Sequence, residues 1–242
     1  MTARSRKGLL ATVTLIATLA FVAAPFLTPG FGGFDPDLYP VPQVDPPVQP
    51  AGWAFSIWGV IYLWLLVSAG FGWWRRGGDA RWNAARPALA LSLGLGSAWL
   101  VVALQSPLWA TVLIWLMLAA ALVALWRTPL KDRIWLRGPV ALYAGWLSAA
   151  SLVSLGLLGA GYGVAPDLLG ERGWAALVIL AAIVLGGAVQ ARLSRAPFYG
   201  LGIAWALIGI TAQNLGDAPI LAGLAAIGAA ILLLLAARSA RG

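Results

Sequence analysis

Few residues in this chain could do covalent chemistry. It has no cysteine and no histidine. That excludes disulfides, Cys-ligated zinc, iron–sulfur clusters, His-ligated haem and the commonest acid–base catalyst at neutral pH. Serine and threonine remain, but without histidine they lack the usual activating base. No P-loop, HExxH, GxSxG or dinucleotide fingerprint is present, and no paired carboxylates sit within the apolar segments. The sequence therefore predicts a non-enzyme without a metal or bound cofactor. What remains is 14 tryptophans and 5 tyrosines, apolar bodies that each carry a polar handle. Their chemistry is non-covalent recognition of a flat apolar molecule with polar edges.

Their spacing gives them direction. Phe55, Trp58 and Tyr62 stand at i, i+3 and i+7, on one helical face, with Trp53 at its outer mouth. Tyr143 and Trp146 are i, i+3 neighbours, with Ser151 and Ser154 further along. Gly202, Trp205 and Gly209 share a face, followed by Gln213 and Asn214. Trp64, Trp99 and Trp115 also lie within apolar segments, where an indole N–H or phenol O–H needs a partner and so prefers a bundle interior. These rings either line a cavity or fill space opposite the 29 glycines and many alanines; composition alone favours packing. Trp73, Trp74, Trp82, Trp126, Trp135 and Trp174 fall near segment ends and read as membrane-interface anchors.

The elements that must position these residues are membrane helices. Of the 242 residues, 61% are apolar and 10% charged, against about 25% charged in soluble domains. Eight apolar segments emerge, at about 8–28, 51–74, 84–104, 107–127, 134–159, 172–191, 198–215 and 218–237. They are twice the length of barrel strands and do not alternate. The predicted fold is an all-α polytopic transmembrane bundle of about eight spans.

Charge gives the orientation. With the N-terminus inside, fifteen of the 16 basic residues fall on the cytoplasmic side, Arg172 being the exception. Six of the 8 acids, Asp35, Asp37, Asp45, Asp167, Glu171 and Asp217, fall outside. This positive-inside pattern puts both termini in the cytoplasm, and the expected location is a bacterial inner membrane. The net charge of +8 serves topology, not nucleic acid, because the basic residues are scattered among loops. Residues 4–24 also read as a signal peptide, but the apolar stretch is long and a retained helix is expected. No acid or base falls in mid-span, which argues against ion-driven transport.

The first external loop, 29–50, holds six prolines from Pro36 to Pro50. It is expected to be extended, stiff and free of helix. With Phe31, Phe34, Leu38 and Tyr39 it forms either a lid over the bundle or an interfacial loop resting among headgroups. The short LQSP link at 104–107 makes segments three and four an antiparallel hairpin.

The stretch PAGWAFSIWGVIYLWLL at 50–66 resembles the second-helix motif of the translocator protein and tryptophan-rich sensory protein family, through Pro50, Gly52, Trp53, Phe55, Trp58 and Tyr62. SAWL at 97–100 resembles its third-helix motif through Trp99. PVALYAGWLSAA at 139–150 resembles its fifth through Pro139, Tyr143, Trp146 and Ser148. The resemblance covers roughly 8–160. It implies a five-helix unit at 1–160 that holds porphyrins, sterols or aromatic ligands beneath the first loop, plus three additional helices at 161–242. The implied ligand-binding residues are Trp53, Phe55, Trp58, Tyr62, Trp99, Tyr143, Trp146 and Ser154. Two family asparagines are replaced, by Gly96 and Ser154. Trp205, Gln213 and Asn214 could supply compensating donors.

The leading functional expectation is a sensory or carrier protein for a planar hydrophobic ligand, porphyrin-like or sterol-like. The alternatives are a facilitator of neutral apolar solutes and an accessory subunit of a membrane complex. The expected partners are the hydrophobic small molecule and membrane lipids, with a complex partner or a homodimer left open.

Overall fold

The structure, a computed structural model, describes residues 3–28, 33–163 and 166–241, with side chains from residue 8 in the first stretch and from 169 in the last. Phe31, and the side chains of Arg4, Arg6, Lys7 and Asp167, lie outside the described part.

Among the described residues eight long helices form the fold: α1 (Ala3–Leu27), α2 (Ile57–Arg76), α3 (Ala80–Ala103), α4 (Pro107–Arg127), α5 (Gly138–Gly161), α6 (Pro166–Arg192), α7 (Pro197–Asn214) and α8 (Pro219–Arg241). There is no β-strand among the described residues, and the chain is an all-α polytopic membrane bundle. Seven of the helices are long and apolar enough to cross a membrane on their own account. The eighth, α7, has 18 residues and ends in Gln213 and Asn214. It tolerates those amides because its neighbours in the protein cover much of its surface, including Asn214.

Local sequence sets the helix starts. Asp79 caps α3 by accepting from the amides of Arg81 and Trp82, and Ser106 caps α4 ahead of Pro107. Proline opens α6, α7 and α8 as well, where its missing N–H costs nothing. Gly170, at φ 69°, breaks the first turn of α6 from the rest.

The packing forms two closed circuits that share α5. In one, α1 touches α3, α3 touches α4, α4 touches α5, and α2 returns from α5 to α1. In the other, α5 and α6 close through α8 and α7. Helix α5 is therefore central, and most of its residues are buried. Glycines let α5 and α7 cross closely: a Cβ on Gly202 would lie 2.7 Å from the Trp146 amide nitrogen.

One end of the bundle is basic, and there buried arginines close helix ends. Arg86 donates to the carbonyls of Gly72, Arg76 and Gly77 at the end of α2. Arg137 donates to Leu125 and Thr128 at the end of α4 and to the Ser194 carbonyl between α6 and α7. Each guanidinium meets carbonyls that a helix C-terminus leaves unpaired. Asp132 accepts from Trp82 Nε1 at 2.6 Å and from Arg76 Nε at 3.3 Å, tying the α4–α5 loop to α2 and α3. Burial raises the Asp132 pKa, but the Trp82 and Arg76 hydrogen bonds and the nearby Arg76 and Arg81 charges outweigh it, holding the carboxyl below its usual value.

Several expectations need correction. Trp82 is not an interface anchor; it is 2% exposed, packed on Gly72 and bonded to Asp132. The proline-rich loop is not free of helix, since Pro36–Leu38 makes one 3-10 turn capped by Asp35, where proline's fixed φ suits the first position. The second segment does not enter as α-helix: Gly52–Ser56 is 3-10 before α2 begins. A π turn, Arg133–Arg137, precedes α5.

Candidate functional site

The first circuit surrounds an aromatic cluster. Trp58 stacks on Tyr62 at 5.4 Å between ring centres and meets Trp146 edge-on at 6.1 Å. Phe55, on the 3-10 turn, meets Trp146 edge-on at 5.9 Å. Phe21 of α1 stands in the middle, edge-on to Trp58, Tyr62 and Tyr143 at 5.1–6.0 Å. Edge-to-face rings at these separations are favourable.

Two adjoining cavities open within the cluster. The outer, of about 50 Å³, is lined by Phe34, Gln49, Trp58, Trp146 and Ser154 among others. The inner, of about 170 Å³, reaches Phe21, Tyr62 and Met117. Phe55, Trp58, Trp99 and Ile114 belong to both. The walls are apolar with a few polar groups, the composition of a small-molecule site.

The proline-rich loop roofs the outer cavity through Gly33, Phe34, Gln49 and Pro50. Its grip lies on neighbouring helices. Val41 N–H donates to the Gly161 carbonyl at the end of α5. Asn214 donates to the Pro47 carbonyl at 2.8 Å, and Ala51 N–H to the Gly209 carbonyl at 3.1 Å, both on α7. Tyr39 and Val48 of the loop are buried against Gly161 and Gly156 of α5, so it lies folded on the protein. Burial, and then nearby Tyr162, push the Tyr39 pKa upward.

The polar handles are largely occupied. Trp99 Nε1 donates to the Ala110 carbonyl, pinning α3 to α4. Tyr143 is fully buried, its hydroxyl 3.0 Å from Ser92 Oγ. Trp205 donates to the Ala54 carbonyl, holding the 3-10 turn, and Asn214 to the loop, holding the roof; neither lines the two cavities. Trp146 differs. Its ring is 2% exposed, it lines the outer cavity, and Nε1 has no hydrogen-bond partner among the described residues. The Tyr39 hydroxyl is likewise buried and without a hydrogen-bond partner among the described residues.

Of the eight residues singled out from sequence, Phe55, Trp58, Trp99, Trp146 and Ser154 line the outer cavity and Tyr62 the inner. Tyr143 backs the cluster through Phe21. Trp53 stands apart, 48% exposed and edge-on to Trp205 at 5.3 Å. Phe21 was not anticipated. Its ring occupies the space beside Gly96, where a Cβ would lie 2.6 Å away. The absence of a larger residue at 96 is thus matched by an aromatic on α1.

A family model described as TSPO-like protein matches residues 10–238. The chain belongs to the TSPO-like family. The match runs from α1 into α8, so it takes in the last three helices as well as the first five. No curated protein and no solved structure matches the chain. Among the described residues of this TSPO-like protein, no group of carboxylates is placed to hold a metal ion. Its membrane-embedded aromatic cluster suits ligand binding.

Proposed function

We propose that this TSPO-like protein binds a planar hydrophobic ligand, porphyrin-like or sterol-like, beneath the proline-rich loop, in a sensory or carrier role. The observation that carries the reading is Trp146. A buried indole N–H without a partner costs free energy, about 1–3 kcal/mol, and here it belongs to a residue that lines an aromatic cavity. A ligand with an acceptor at its edge would satisfy that donor while its face packs on Trp58 and Phe55. Neither cavity, at about 50 and 170 Å³, reaches the roughly 300–1,000 Å³ of drug-sized sites. The form described is therefore closed, and a porphyrin requires Phe34 and the loop to move. The reading includes a bacterial inner-membrane location, both termini cytoplasmic as the charge bias supports, and a ligand-holding unit at 1–160 with 161–242 as its addition.

Protoporphyrin titrated into detergent-purified protein tests it, read by tryptophan quenching and by the porphyrin's own absorbance. Saturable binding at micromolar ligand, weakened in Trp58→Ala and Trp146→Phe but not in Trp74→Ala, is the expected result. Linear quenching that no variant alters means detergent partitioning and overturns the reading.

A further inference from the structure

The aromatic cavities hold more hydrogen-bonding groups than Trp146. Gln49 and Ser154 line the outer one and Tyr62 the inner. None of these three side chains makes a hydrogen bond among the described residues. Ser154 belongs to the stripe of α5, with Trp146, Ala150 and Val153, that lines the outer cavity. Trp146 precedes it by a little over two turns, about 12 Å along the helix. Val48 of the roof packs against Gly156, which brings its neighbour Gln49 to the level of Ser154. The site thus carries polar groups at two depths, Trp146 within and Gln49 with Ser154 under the roof.

All of these groups are uncharged. No Asp, Glu, Lys or Arg lines either cavity among the described residues, and residues 29–32, next to Gly33 in the chain, are Pro, Gly, Phe and Gly. What charge there is lies outside, and it is negative. Asp35, Asp37 and Asp45 of the roof, with Glu171 and Asp217, are exposed at that end of the bundle. Arg172 is the only basic residue in the segments there. A carboxylate taken into such a site gives up its water without gaining a cation, at a heavy cost in free energy. The acids of the roof add repulsion. A ketone, ester or alcohol loses far less on entering, and accepts from the same indole, amide and hydroxyl groups.

We infer that the site selects uncharged ligands: the hydrogen-bonding end that meets Gln49 and Ser154 is a ketone, ester, amide or alcohol and not a carboxylate. This rests on ligand binding beneath the proline-rich loop, and narrows it to the neutral members of the planar hydrophobic class.

Protoporphyrin and its dimethyl ester share one ring and differ in charge at two side-chain ends. Both are titrated into the full chain at about pH 7.5, where free carboxylates are ionised. Several detergent concentrations remove micelle partition from each affinity. The diester should bind at least about tenfold tighter than the diacid. Gln49→Arg sets a cation beneath the roof and should raise diacid affinity roughly tenfold, with the diester still bound as the sign of an intact site. Gln49→Met, which adds no charge, should keep the parent's order. A diacid that binds the parent as tightly as the diester overturns the inference and leaves the binding reading standing. So does a diacid affinity that Gln49→Arg fails to raise in a protein that still binds the diester. Saturable binding of neither form overturns both.

Discussion

Gly145 of α5 lies directly against the backbone carbonyl of Tyr199 on α7, so close that no Cβ fits between them. The neighbouring obstacle is main chain, which no rotamer change can move aside. Gly202 repeats the relationship from the other helix, against the Trp146 amide nitrogen and the Leu142 carbonyl. The central helix is held to the second circuit by two missing side chains.

Gly145→Ala should therefore force α5 and α7 apart. Overpacking of this kind costs about 1–3 kcal/mol, and more where backbone is struck. Gly59→Ala is the control, since a Cβ there meets nothing within 4 Å. Thermal unfolding in detergent should show Gly145→Ala melting well below the parent and Gly59→Ala at or slightly above it. Equal melting points would mean that the helices separate without cost.

Trp146→Phe should act in opposite directions on stability and on binding. The substitution removes a buried N–H that has no partner among the described residues, so the ligand-free protein should be as stable as the parent or gain up to about 1 kcal/mol. Protoporphyrin affinity should fall, by roughly tenfold for one lost hydrogen bond. A variant that loses stability in proportion to affinity would make Trp146 a packing residue only.

Gly96→Asn and Phe21→Ala should couple. The first alone drives a side chain into the Phe21 ring. The second alone leaves a cavity, at about 3–5 kcal/mol for a buried phenylalanine. Combined, they should destabilise by less than the sum of the two, a departure from additivity expected of residues in contact. Unfolding of all four proteins closes the cycle, and strict additivity would refute the exchange of volume between these positions.

Asp132 gives the basic end an acid-sensitive joint. Its carboxyl is held below the ordinary range by Trp82 and Arg76. A depressed folded-state pKa contributes stability above the unfolded value, and that contribution is lost as pH falls through the folded one. Asp132→Asn should thus be less stable than the parent at about pH 7, with the two melting points converging as pH drops below the usual carboxylate range. A gap that persists in acid would assign the difference to geometry instead of charge.

The helices were legible in the sequence because hydrocarbon forces every backbone polar group to be paired within its own segment. Length and charge then reported the same boundaries; 107–127 coincides with α4. The face shared by Phe55, Trp58 and Tyr62 was legible for a similar reason, although Phe55 sits on a 3-10 turn. Phe21 was not, because α1 is apolar on every side and its rotation is set by α3, through Gly96. Trp82 was misread because its position in the chain is that of an interface residue, while its partner, Asp132, comes from fifty positions away. The roles of Trp205 and Asn214 depend on where the first loop lands, and no spacing within α7 reports that.

The landing place of that loop has a kinetic meaning. Its roof over the outer cavity is fastened to α7 through Asn214 and Gly209, a helix that contributes only Ala206 to the cavity wall. Entry from above must first break bonds to a strut that gains nothing directly from the guest. Arrival would then be limited by unfastening and not by diffusion: slow, steeply temperature-dependent on-rates with long residence. Loosening Asn214 would speed capture and release together while leaving the equilibrium nearly where it was.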